Sequence, residues 1–228
     1  EKIILKQNNI AWMPIDIPKF QFSDEVINDY ISSRGTKVVP PSATAFDADH
    51  LIKDQIEIND LSANYKLLLS HIRKHLPYKE LHIVRIHNMH KLGNLHMDYG
   101  WTEKRSNMDD YKNCVLNEPC GYRILLRGDN SGSLMVESNE GMVNVTQPKE
   151  SDCYVLGHTD VLHSNVFFDS NRYVVFIHGT VDKEQHENLI QRSVTKYNNS
   201  IILRGDIQHT KGKHVYTRSE YERLHNSK

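Results

Sequence analysis

The chain has little cysteine: Cys114, Cys120 and Cys153 are the three, and no two of them form a CxxC pair. That odd, unclustered set excludes a disulfide framework and a thiolate zinc site, and it favours a reducing, cytoplasmic setting. Long apolar runs are missing as well, since none approaches the ~20 residues of a membrane-crossing helix. The stretch Glu1 to Ile10 carries no signal-peptide core. There is no excess charge of one sign: 28 basic and 29 acidic residues are interspersed and leave a net charge of -1, so no broad nucleic-acid-binding face is implied. Internal repeats and low-complexity segments are also absent.

What remains is a soluble globular composition, with 38% hydrophobic and 25% charged residues among 228, enough for one domain with a substantial core. From Phe22 to Pro77 the pattern is mostly helical. Ser23-Asp24-Glu25 reads as a cap with first-turn acids. Asp60 is placed to cap a second helix, in which Leu61, Tyr65, Leu68, Leu69, Ile72 and Leu76 recur at helical spacing until Pro77.

After Pro77 the period changes. Short β-rich runs cover 81–89, 95–99, 122–127, 133–137, 142–146, 152–156, 162–168 and 172–181, with turn residues between most of them. Eight such strands predict a mainly β fold with flanking helices: a double-sheet jelly-roll core, its N-terminal helices packed on one sheet. Three regions follow within one domain: a helical and strand support region over 1–80, the jelly-roll core over 81–182, and a helix with a polar tail over 183–228. The helix spans 184–197, and 200–203 is read as a further short strand.

Fourteen histidines invite a functional reading, but position has to carry it. On a strand, side chains two apart point the same way, so His-x-Asp offers two ligands to one ion, and the third must come from a distant strand facing it. Such a 2-His-1-carboxylate face leaves positions open on non-haem iron(II). Among 14 histidines and 16 aspartates, about one His-x-Asp is expected by chance. Two occur, His96-Met97-Asp98 and His158-Thr159-Asp160.

Downstream context separates them. After His96-x-Asp98 come several strands, then His163, and nine residues later Arg172 opens Arg-Tyr-Val-Val-Phe-Ile. The rival pair has an echo in His209 and Arg218, but 208–219 is not strand-like, and a helix fills most of the gap. His158 also stands too far from Arg172 to replace His163.

Residues 81–182 resemble the double-stranded β-helix core of Fe(II)/2-oxoglutarate-dependent oxygenases, particularly the prolyl-hydroxylase-like branch. The pieces are Leu-His-Met-Asp, Tyr-Arg-Ile-Leu-Leu-Arg-Gly-Asp-Asn-Ser-Gly-Ser-Leu-Met-Val, Ser-Asp-Cys-Tyr-Val-Leu and Leu-His-Ser-Asn-Val-Phe-Phe-Asp-Ser-Asn-Arg-Tyr-Val-Val-Phe-Ile. Each is loose, but their order and the His-to-Arg step together are specific. The resemblance implies His96, Asp98 and His163 as iron ligands and Arg172 as the 2-oxoglutarate anchor, with dioxygen as oxidant and succinate as a product. The stretch 99–119 is longer than the usual link in that family.

Strand parity adds pocket candidates. If Arg172 points inward, so do Val174, Phe176 and His178, which makes His178 a pocket residue or a satisfied core histidine. Turning Tyr122, Ile124 and Leu126 inward makes Tyr122 a hydroxyl donor to the co-substrate, and leaves Arg123 and Arg127 solvated. Arg85 is within reach of an anionic substrate group or a surface ion pair, and Trp101 lies on a loop placed to cover substrate. The expected activity is hydroxylation of a C–H bond in a small polar substrate such as an amino acid. The alternatives are a peptidyl hydroxylase of prolyl or asparaginyl type and a non-enzymatic cupin-like metal-binding protein. The resemblance also implies hydroxylation rather than halogenation, since related halogenases carry a small residue where this sequence has Asp98.

Overall fold

The computed structural model describes residues 10–34, 48–88, 95–96, 121–157, 161–165, 172–205 and 215–226. In chain order these form β1 (Ile10–Pro14), α1 (Ser23–Arg34), β2 (Ala48–Lys53), β3 (Ile56–Glu57), α2 (Ala63–His75), β4 (Tyr78–Asn88) and β5 (Leu95–His96). There follow β6 (Gly121–Arg127), β7 (Leu134–Ser138), β8 (Gly141–Asn144), β9 (Cys153–Leu156), β10 (His163–Asn165) and β11 (Tyr173–Val181). The chain closes with α3 (Lys183–Lys196), β12 (Ile202–Leu203), β13 (Val215–Tyr216) and α4 (Arg218–Asn226). The strands make two antiparallel sheets, a large one in the order β12-β1-β9-β6-β11-β4-β2-β3 and a small one in the order β13-β5-β10-β7-β8. Among the described residues no helix is long and apolar enough to cross a membrane.

Two local details differ from the sequence reading. The cap of α2 is Ser62, whose Oγ accepts from Tyr65 N at 3.1 Å. Asp60 instead sits in the preceding turn at φ 58. Within the stretch read as mostly helical, β2 and β3 form a hairpin closed by Asp54 and Gln55, at φ 52 and 70. Two left-handed residues suit the right-handed twist of a hairpin, but the usual glycine or asparagine signal is missing there.

Three apolar layers hold the sheets. The largest lies between the large sheet and the helices, and joins Tyr65, Leu68, Leu69 and Ile72 of α2 with Tyr122, Ile124, Val175 and Ile177. Burying each such aliphatic side chain stabilises by about 1.5–3 kcal/mol. A second layer fills the space between the sheets, with Trp12, Tyr154 and Val174 from one and Leu134 and Val136 from the other. The third covers the outer face of the small sheet, where Tyr221 of α4 packs with Leu95, Leu162 and Tyr216.

The three sequence regions interlock. From the first, β1 pairs with both β9 and β12, and β2 pairs with β4. From the last, β13 joins the edge of β5, with Val215 opposite His96 and Tyr216 opposite Leu95. The segment 208–219, taken as not strand-like, therefore supplies a strand, and Arg218 opens α4 and pairs with Glu222.

Candidate metal centre

The small sheet brings the two histidines together. In the antiparallel pairing of β10 with β5, His163 stands opposite His96, and their ring centroids are 4.3 Å apart. Residues directly opposite on adjacent strands share a face, so the two imidazoles point to the same side. His163 is also opposite Val136, which belongs to the layer between the sheets, so that side is the interior. The partner strand is a lateral neighbour within one sheet rather than a strand facing across the barrel.

His163 is buried, and its Nδ1 lies 2.9 Å from the carbonyl oxygen of Val161. A carbonyl only accepts, so Nδ1 carries a proton, and in the neutral ring the lone pair is on Nε2. That is the state a ligating histidine needs: the other nitrogen is held by a backbone acceptor that fixes tautomer and ring orientation. Asp98, the expected third ligand, lies outside the described residues, as do Trp101, His158, Asp160 and the stretch 99–119. Among the described residues no group of three or more His, Cys, Asp and Glu side chains is gathered for a metal ion.

Arg172, just before β11, is 3% exposed. Its Nε and one terminal nitrogen donate to Asn130 Oδ1 at 3.0 and 2.5 Å, and the other terminal nitrogen donates to Asn165 Oδ1 at 2.7 Å. Asn165 sits two residues after His163, on the same face of β10, so one short strand presents both His163 and a partner of the arginine. Asn130 is itself oriented by its Nδ2, which donates to Gln147 Oε1 at 2.9 Å, and Gln147 donates onward to the carbonyl of Ser151. Gly128, at φ 91, backs the arginine so closely that an added Cβ would meet Arg172 Cα at 3.0 Å.

Tyr122 is elsewhere. It faces the helices rather than the space between the sheets, and its hydroxyl is 2.6 Å from Nδ1 of His186 on α3. Parity misleads here because both faces of β6 are covered, and the larger apolar core, on the helix side, takes the apolar set. Arg123 consequently points between the sheets and is 5% exposed, while Arg127 pairs with Asp24 at 2.7 Å. His178 shares the inward face with Val174 and Phe176, and its ring lies over Gly121, 3.3 Å from where a Cβ would stand. Arg85 is opposite Phe176 on β4.

Asn130 and Asn165 escaped the sequence reading. Asn165 was within reach of it, since it lies at period two from His163. Asn130 sits in a Gly-Asp-Asn-Ser-Gly run that reads only as a turn. Compared with protein-family models and with curated proteins, the chain finds no match.

Proposed function

We propose that this chain is a non-haem iron(II), 2-oxoglutarate-dependent oxygenase that hydroxylates a C–H bond of a small polar substrate. The observation that carries the reading is the register pairing of His96 with His163, with His163 Nδ1 engaged by a backbone carbonyl. The strand order supports a double-stranded β-helix. In chain order β4, β6, β9 and β11 enter the large sheet, while β5, β7, β8 and β10 enter the small one, giving β9-β6-β11-β4 over β5-β10-β7-β8.

His96 and His163, with Asp98 from the same motif, would hold the iron on the inner side of the small sheet. When bound there, iron(II) with 2-oxoglutarate and dioxygen supplies the oxidising equivalents for hydroxylation, and succinate and carbon dioxide are released. The chain's own work is placement. Arg172, with its planar fork oriented by Asn130 and Asn165, receives the distal carboxylate of 2-oxoglutarate. The apolar layer formed by Trp12, Val136, Tyr154 and Val174 limits water between the sheets, which strengthens that charge pairing.

Aerobic incubation of the purified protein with iron(II), ascorbate and 2-oxoglutarate should release succinate, and His163→Ala or Asp98→Ala should abolish it. Absence of succinate across a library of amino acids and small polar metabolites refutes the proposal.

A further inference from the structure

The inward face of the large sheet carries a row of side chains, two guanidiniums among them, that the chemistry above does not use. Across the strands, at one level, stand His50, Arg85, Phe176, Arg123 and Tyr154, each opposite the next in register. Both guanidiniums lie against the same ring: Arg123 Cζ is 4.8 Å and Arg85 Cζ 5.6 Å from the centroid of Phe176. His178 extends the group one pleat further along β11. Arg123 is buried, whereas Arg85, His50, Phe176 and His178 are half-buried, so the group is reached from one side.

The face of the phenylalanine attracts both guanidiniums and lines them up side by side. Their field is registered by the neighbouring His87, whose ring is 4.5 Å from Phe176. Burial, and after it the neighbouring Arg85, His50, Arg123 and His178, hold its imidazole far below the usual histidine range. Convergent guanidiniums beside imidazoles are the groups that bind an oxyanion, with two planar forks for a carboxylate or a phosphate. They stand on the sheet that faces His96 and His163, around β11, the strand that begins just after Arg172.

The geometry points to an oxyanion site formed by Arg85, Arg123, His50 and His178 around Phe176, which holds an acidic group of the substrate. Naming the bound molecule as substrate rests on the oxygenase reading; the anion site itself does not. The site is distinct from Arg172, so it should fill while 2-oxoglutarate is bound.

Titration calorimetry on the whole chain, with manganese(II) for iron and saturating 2-oxoglutarate, tests this. The probes are L-glutamate, L-aspartate and O-phospho-L-serine, against L-glutamine, L-asparagine and L-serine. At least one acid should bind about tenfold or more tightly than its neutral partner, and Arg85→Gln should weaken it by about tenfold. Binding by the phosphoserine alone assigns a phosphate, and binding by the amino diacids assigns a carboxylate. Because Arg123 is buried, Arg123→Lys, which keeps charge and stem, accompanies Arg123→Gln and should retain part of the affinity. Equal binding of acid and neutral partner, no binding of any acid, or displacement by 2-oxoglutarate overturns the proposal. Acid binding without succinate release would remove the oxygenase reading and leave the site. Succinate release indifferent to the acid would do the reverse.

Discussion

Arg172 has its guanidinium almost wholly out of water, and three of its N–H groups reach two amide oxygens. Neutral amide acceptors orient the guanidinium fork without neutralising it. Arg172→Ala should therefore raise the 2-oxoglutarate concentration needed for half-maximal succinate release by roughly ten- to hundredfold, the worth of a charged hydrogen-bonded pair. Iron binding should be unchanged, and unaltered 2-oxoglutarate dependence would refute the assignment. At this scale the sequence was legible where one residue's spacing mattered, as with His163 and Arg172. It was not legible where both faces of a strand are buried. Tyr122 and Arg123 exchanged sides because alternation tells which residues share a face but not which core that face meets.

At the scale of elements, the small sheet depends on its edge. β5 is two residues long, with β10 on one side and β13 on the other, and Tyr216 of β13 is 2% exposed beneath Tyr221 of α4. Tyr216→Ala should cost about 3–5 kcal/mol of stability, as for other buried aromatic truncations. It should also weaken iron binding, because His96 is the residue that β13 pairs with. Denaturant titration and metal titration measure the two effects, and iron affinity equal to wild type would show that β13 does not position His96. Strands β4 to β11 were readable from their turn residues and β-rich runs, whereas the β2–β3 hairpin fell in the stretch read as helical. β13 was not readable either, because Gln-His-Thr-Lys-Gly-Lys-His carries no apolar pattern and only two residues pair.

For the whole molecule, buried histidines set the response to acid. Burial holds His186 and His71 down to about 4, with His75 and Lys74 adding to the effect on His71, and His87 is held lower still. A depressed histidine contributes stability that is present above the unfolded value near 6.5 and lost as pH falls toward the folded value. Asp152 runs the other way: burial raises it to about 6, so its folded form takes a proton early, and its contribution is present in acid and lost as pH rises through 6. Near pH 5 these four groups thus hold about three protons in the unfolded chain against about one in the folded chain, so unfolding there takes up about two. Urea unfolding around that pH should show stability falling with pH, and His186→Gln should reduce the uptake by about one. A flat profile from pH 6.5 to 4.5 would contradict it. None of this is visible in fourteen scattered histidines, because only the fold decides which are buried.

The pairing of β5 with β10 and then β13 also sets an order of assembly. His96 is synthesised early, but its flanking strands come from segments far behind it in the chain. Closing such loops costs entropy before any contact repays it, so the small sheet should condense late in folding. During synthesis the large sheet's β4 and β6 can meet their helices while His96 still waits for both neighbours. A chain released before Val215 would carry every proposed iron ligand and still lack the strand that borders the first of them.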